Sequence, residues 1–374
     1  MDLVEVTEGA TTIRVPATDP EVAFPPGAAP VFYNPRMAIN RDATVLLLRA
    51  LPPERRPPDY LDAMGATGLR GLRVARETGL AVTINDRSRR ALDLAAGNAE
   101  RLGLAIETVR SDANALLSSR RFGAVDLDPF GSPAPFVDSA CRSAARYLFV
   151  TATDTAPLCG AHLRAGMRRY FARPMNTEYH AEVGLRILLG FVVRELVKYD
   201  RGLSPLCCFA REHFVRLHLG LSEGAAAADR TLARIGYIHQ CRRCPGRAEQ
   251  AGLLPEPAAC PACGGETSPV GPLWLGAVND PATVAAMRGA VDGPPLAQGT
   301  ALGRMLAVLE AELPTSTFYD YHVLAQREGV SPPAIETVLE RLRSGGYRAS
   351  RAHYAGTAIK TDAPLANVRA AITG

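Results

Sequence analysis

Between residues 60 and 153, short apolar runs alternate with helix-patterned segments, and this alternation limits the possible folds more than any other feature of the chain. Strands are expected at YLDA (60–63), AVTIND, AIETVR, AVDLD and YLFVTAT. Between them, the spacing of Leu69, Leu72, Val74 and Ala75 predicts a helix ended by Gly79, and further helices are expected over 88–102, ANALLSS and PFVDSACRSAA. Strands joined by helical crossovers pair in parallel and are covered on both faces. The expected fold class is therefore α/β, with a Rossmann-like doubly wound domain.

Upstream, TTIRV (11–15) reads as a strand, a Pro- and Gly-rich loop follows, and residues 42–51 suit a helix with Asp42 near its N-cap. Beyond Arg201 the alternation stops. HFVRLHLGLS is strand-like, a cysteine-paired region spans 239–269, and helices are expected over 302–313 and 333–344. The ending GGYRASRAHYAGTAIKT resembles a turn and β-ribbon, giving two helices followed by a wing. The expected division is a catalytic domain over 1–206 and a smaller α+β C-terminal domain over 207–374 that ends in a winged-helix-like element.

With 374 residues, 47% of them hydrophobic and 21% charged, the chain has material for a sizeable core, so global disorder is excluded. A net charge of +4 permits a polyanionic partner without requiring one. No apolar run reaches the roughly 18 residues that span a bilayer, and the first residues lack the basic and apolar regions of an export signal. A cytoplasmic location is expected.

Acids close successive strands. LDAMGATGLRG sets Asp62 at a strand end and Gly65, Gly68 and Gly71 in the turn into a helix, where backbone amides and the helix dipole favour an anionic group. The spacing G-x-x-G-x-x-G departs from the dinucleotide fingerprint and favours S-adenosylmethionine; close strand–helix packing is the plainer reading of the same glycines. Asp86, at the end of the next strand, suits ribose hydroxyls and equally suits a helix N-cap. At the third strand end Asp112 suits the adenine amino group, with the amide of Ala113 at the ring edge.

The fourth strand delivers Asp128-Pro129-Phe130-Gly131 to the same carboxyl edge. This step resembles the D/N-P-P-Y/F motif of methyltransferases that act on exocyclic amino groups of bases. An arylamine nitrogen is a poor nucleophile because its lone pair is delocalised. A carboxylate and the fixed carbonyl of Pro129 accepting its hydrogens localise that pair, while an aromatic face holds the base. Asp126 shares a face with Asp128 in an ideal strand and reads as the structural acid of the two.

Cys241-x2-Cys244 and Cys260-x2-Cys263 are the spacing of a tetrahedral structural zinc site, with His239 as an alternative ligand. Cys141, Cys159, Cys207 and Cys208 read as reduced core thiols. Arg242, Arg243 and Arg247 surround the cluster and suit either phosphates or a solvated face.

VFYNPRMAINRD, LDAMGATGLRGLR, INDRS, DLDPFGSPAPFVDSA and GYRASRAHYAGTAIKTDAP together resemble the tRNA (guanine-26) N2-dimethyltransferase family over nearly the whole chain. The resemblance implies transfer of one, then a second, methyl from S-adenosylmethionine to the 2-amino group of a guanine in tRNA. It further implies that Asp128 activates the amine and that Phe130 and Phe32 sandwich the guanine. Arg41 and Arg70 would hold the methionine carboxylate, with Asp86, Asp112 and Ala113 on the adenosine. Without the resemblance, Phe32 beside Tyr33 reads as a core aromatic. Two other readings stay open at this point: an adenine amino-methyltransferase of DNA or RNA, and a non-catalytic zinc-bearing nucleic-acid-binding protein. The C-terminal Arg341, Arg343, Arg348 and Arg351 are the expected tRNA contacts.

Overall fold

The computed structural model describes residues 2–17 and 31–374. In chain order its first elements are β1 (Leu3–Glu8), β2 (Thr11–Pro16), α1 (Ala38–Ala50), β3 (Asp59–Asp62), α2 (Leu69–Thr78) and β4 (Ala81–Asn85). Next come α3 (Arg89–Leu102), β5 (Glu107–Val109), α4 (Ala113–Ser119), β6 (Phe122–Leu127), α5 (Ala134–Ser143) and β7 (Ala144–Ala152). The middle of the chain holds α6 (Thr155–Leu158), α7 (Leu163–Tyr170), α8 (His180–Leu196), β8 (Arg201–Pro205), β9 (Phe209–Arg211), β10 (Phe214–Glu223) and α9 (Ala225–Leu232). There follow β11 (Ile235–Cys241), β12 (Arg247–Ala251), β13 (Thr267–Trp274), α10 (Pro281–Gly289) and α11 (Gly299–Ala311). The last are β14 (Tyr319–Asp320), α12 (Tyr321–Arg327), α13 (Ile335–Ser344), β15 (Ala349–Arg351), β16 (Ala358–Thr361) and α14 (Leu365–Thr373). No described helix is long and apolar enough to cross a membrane.

The chain divides into two compact units. The first takes Met1–Thr151, His218–Leu221 and Pro281–Leu306; the second takes Ala152–Leu217, Ser222–Asp280 and Ala307–Gly374. These boundaries differ from the division at 206/207 expected from sequence, because later segments return to the first unit. One anchor of that return is Asp42, fully buried, which accepts hydrogen bonds from the amides of Ala297 (3.2 Å) and Gln298 (2.5 Å) just ahead of α11. Asp42 is consequently not a helix cap. Asn34 opens the preceding turn instead, its side chain accepting from the amide of Arg36 at 2.9 Å, and α1 starts at Ala38.

In the first unit the strand order is β5-β4-β3-β6-β7, followed by β10. The pairs β3–β4, β3–β6, β4–β5 and β6–β7 are all parallel. From the central β3 the chain runs outward to β5, then crosses back to β6 on the other side. That reversal opens a crevice at the carboxyl ends of β3 and β6, which is where open α/β sheets bind ligands.

Local sequence accounts for these elements. Gly68 enters α2 with φ 76°, and a Cβ there would stand 2.7 Å from the Cβ of Ala95. Gly79 closes α2 in the left-handed conformation, Ser88 caps α3 by accepting from the amide of Ala91, and Asp112 caps α4.

In the second unit α8 is buried on almost every face. The strands β11, β12 and β13 form an antiparallel sheet in the order β12-β11-β13. The chain ends on α12, α13, the antiparallel ribbon β15–β16 and α14, packed on Leu324, Val338, Leu339, Ile359 and Val368.

Candidate active site and cysteine cluster

At the carboxyl end of β6 one guanidinium, reaching across from α2, gathers two acids and the start of α1. Arg70, in the first turn of α2 and 5% exposed, pairs with Asp128, reaches Asp126 at 3.6 Å, and donates to Asn40 Oδ1 at 2.8 Å and Thr44 Oγ1 at 3.3 Å. Burial disfavours its charge, but the carboxylates of Asp126 and Asp128 outweigh this and raise its pKa further above the usual range. Asp126 is fully buried and also accepts the hydroxyl of Tyr60 at 2.6 Å, so it is the structural acid of the pair. Asp128 keeps a side-chain exposure of 21%. One of its oxygens is held by Arg70, and Oδ1 accepts no hydrogen bond from the described residues. Pro129 is buried behind it and Phe130 is 70% exposed. The Phe130 ring meets Phe32 edge to face, with centroids 4.3 Å apart and planes at 76°.

Sequence reasoning placed Arg70 on a ligand carboxylate; the structure gives it two protein carboxylates. Arg41 is similarly engaged, through a two-pronged pair with Glu8 at 2.7 and 2.5 Å and a bond to the carbonyl of Asn34. Tyr60 and Asn40 were missed as members of the site. Their sequence signals were faint: a tyrosine inside an apolar strand and an asparagine inside a helix.

The glycine turn combines close packing with a shaped backbone. A Cβ at Gly65 would lie 2.3 Å from Ile84 Cγ2, and Ala66 takes φ 47°. The amide of Ala66 donates to Asp86 Oδ2 at 2.9 Å, while Asp86 Oδ1 accepts from the amide of Ser88 at 2.8 Å. Asp86 thus braces both the glycine turn and the start of α3, and each oxygen retains a second lone pair. Asp112 uses Oδ1 to cap α4 through the amides of Asn114 and Ala115; among the described residues its Oδ2 has only Arg87, 4.0 Å away. Ala113 is buried at the same corner. Asp62 is buried and accepts the amide of Gly71 at 3.0 Å. Burial raises its pKa to about 7, against the opposing charge of Arg70.

In the second unit the sulfurs of Cys241, Cys244, Cys260 and Cys263 all lie within 4.8 Å of one another, with pairs at 3.5 and 3.6 Å. A tetrahedral ion with about 2.3 Å metal–sulfur bonds sets its ligands about 3.8 Å apart, so the four fit one ion. The amides of Arg243, Gly246 and Ala262 point at the sulfurs of Cys241, Cys244 and Cys260 at 3.3–3.4 Å. His239 is not a ligand: its Nε2 meets Gln250 Oε1 at 2.7 Å and its Nδ1 meets Thr267 Oγ1 at 3.4 Å.

Of the surrounding arginines, Arg242 and Arg243 lie on the solvated face that was one of the two expectations, whereas Arg247 departs from both. Arg247 is held between the rings of Tyr179 and Tyr319, pairs with Glu178 at 3.1 Å, and is no phosphate contact; Arg242 pairs with Glu266 at 2.9 Å. The C-terminal arginines are also occupied. Arg348 pairs with Asp362 and Arg351 with Glu336, while Arg341 and Arg343 donate to the carbonyls of Ala371 and Ala349.

A profile of the family described as N2,N2-dimethylguanosine tRNA methyltransferase matches residues 9–373. The chain belongs to this family. It is 64% identical, over the full length of both chains, to the tRNA (guanine(26)-N(2))-dimethyltransferase of Methanoculleus marisnigri. It is 61% identical to that of Methanosphaerula palustris, again over the full length of both. Among solved structures, Trm1 from Pyrococcus horikoshii in complex with S-adenosyl-L-methionine is similar at a TM-score of 0.89 and 37% identity, covering 99% of this chain and 100% of that one. The family's activity is methylation of the guanine 2-amino group in tRNA, and neither the adenine-directed nor the non-catalytic reading is favoured by these relatives.

Proposed function

We propose that this protein carries methyl groups from S-adenosylmethionine to the 2-amino group of guanine 26 in tRNA, with Asp128 as the group that receives the amine. The observation that carries this reading is the asymmetry of Asp128: one oxygen is fixed by Arg70 and the other is left as an acceptor beside the exposed ring of Phe130. When bound, S-adenosylmethionine supplies an electrophilic methyl group. Asp128 Oδ1 accepts an amine hydrogen and directs the nitrogen lone pair away from the purine ring; on transfer it takes the proton that the nitrogen releases. Arg70 holds the carboxylate so that the acceptor does not rotate. Phe32 and Phe130 part to take the base between their faces, since their present edge-to-face contact leaves no parallel slot.

Asp86, Asp112 and Ala113 are placed to hold the adenosine, and Asp62 and Gly65 shape the turn beside the methionine end. Arg41 acts through Glu8 on this reading, positioning α1 rather than meeting the cofactor directly. Cys241, Cys244, Cys260 and Cys263 hold one structural zinc ion, since four thiolates leave no position for a substrate.

The test is incubation with labelled S-adenosylmethionine and two tRNA transcripts, one with G26 and one with A26, followed by nucleoside analysis. Label in N2-methylated guanosine from the G26 transcript alone is expected. Methyladenosine, or equal label in both transcripts, would overturn the assignment.

A further inference from the structure

From residue 155 to residue 177 the chain carries His162, Arg164, Arg168, Arg169 and Arg173 and no aspartate or glutamate, although the whole protein balances 42 basic against 38 acidic residues. Most of this segment's cations lie on or beside α7. The helix packs through Gly166, where a Cβ would stand 2.5 Å from the carbonyl oxygen of Pro157, and through Tyr170, whose hydroxyl donates to Asp154 at 2.6 Å. Its other face is open. Leu163, Met167 and Phe171 follow one another a turn apart at 38%, 48% and 72% exposure, flanked by the exposed Arg164 and Arg168.

Arg169 pairs with Asp154, but the side chains of Arg164, Arg168 and Arg173 have no ion-pair or hydrogen-bond partner among the described residues. This contrasts with the C-terminal arginines, which are all engaged. Phe171 adds a second, independent observation. It ends α7 at φ 46°, a left-handed position that glycine fills freely and that costs an L-residue about 1–2 kcal/mol. An exposed ring gives folding little return for that strain, and strain kept at an exposed group points to a binding role.

We propose that the outer face of residues 163–173 is a docking surface for the tRNA body, with Arg164, Arg168 and Arg173 on backbone phosphates and Phe171 stacked on an unpaired base. The proposal rests on the tRNA reading above. RNA fits better than a second copy of the chain, because a twofold contact would set two acid-free arginine clusters against each other. Energy from such contacts is what extrusion of the target guanine requires.

The test uses the full-length protein, the triple variant Arg164→Ala/Arg168→Ala/Arg173→Ala, and Phe171→Gly. For the triple variant, the slope of log affinity for tRNA against log salt is expected to fall by about 2–3, with affinity for S-adenosylmethionine unchanged. Phe171→Gly is expected to melt at or above the wild-type temperature and yet bind tRNA about tenfold more weakly. That combination separates a binding role from a folding one. Unchanged tRNA affinity and salt slope in both variants would overturn the docking surface, as would sedimentation showing that the substitutions only dissociate a dimer. Absence of methyl transfer by the wild-type protein would overturn the underlying reading, whereas wild-type transfer with unaffected variants overturns the docking surface alone.

Discussion

At the end of β6 a carboxylate oxygen and an aromatic ring are left open, whereas at the cysteine cluster the four sulfurs face one another and backbone amides point at three of them. Both clusters gather reactive side chains, but they are finished differently. In the cluster the four sulfurs are turned toward one another, which suits a part that holds the fold together. The strand end keeps one, which suits a part that meets a substrate. The same contrast recurs on a smaller scale between Asp126, enclosed by Tyr60 and Arg70, and Asp128, two residues on and half released.

Metal removal gives the largest effect on the closed side. Stripping the ion with a strong chelator, or Cys244→Ser, should cost about 4 kcal/mol or more of stability in denaturant titrations, with one zinc per chain found in the untreated protein. A folded, zinc-free native preparation would remove the structural role. Next in size is Asp126→Asn, which weakens the bond from Tyr60 and takes one anion from buried Arg70. We expect a loss of about 2 kcal/mol in stability, with methyl transfer reduced no more than the folded fraction. A stable variant with strongly reduced transfer would make Asp126 part of the chemistry.

Asp112→Ala should weaken S-adenosylmethionine binding about tenfold and cost about 1 kcal/mol as a lost helix cap. Calorimetry showing an unchanged dissociation constant would leave it only the cap. The last effect concerns pH. Burial raises the pKa of Asp62 from 3.8 to about 7, so its folded form favours the proton. Its contribution to stability is complete below about pH 4 and is lost as pH rises through 7. Melting curves of Asp62→Asn should therefore compare more favourably with wild type at pH 8 than at pH 5, and a difference independent of pH would contradict the assignment.

Much of this contrast was legible in the sequence. The acids at the ends of β3, β4 and β6 and the paired cysteines were visible because each depends on local spacing. What escaped depends on residues far apart or on patterns without a period. Helix α8 is buried nearly all round, so it carries no amphipathic stripe to read. The bond from Asp42 to the amides of Ala297 and Gln298 joins positions more than two hundred residues apart and has no local signature. Arg70 entered as a site residue through the family resemblance, but its partners were not legible, since ion pairs from α2 to the end of β6 join positions more than fifty residues apart and have no local signature.

The measurement that tests the contrast most directly is single-turnover methyl transfer by Asp128→Asn at saturating S-adenosylmethionine and tRNA. A rate lowered about a thousandfold is predicted, with cofactor affinity within a few-fold of wild type and an unchanged melting temperature. Transfer near the wild-type rate by that folded, cofactor-bound variant would contradict the assignment of the open oxygen to the amine.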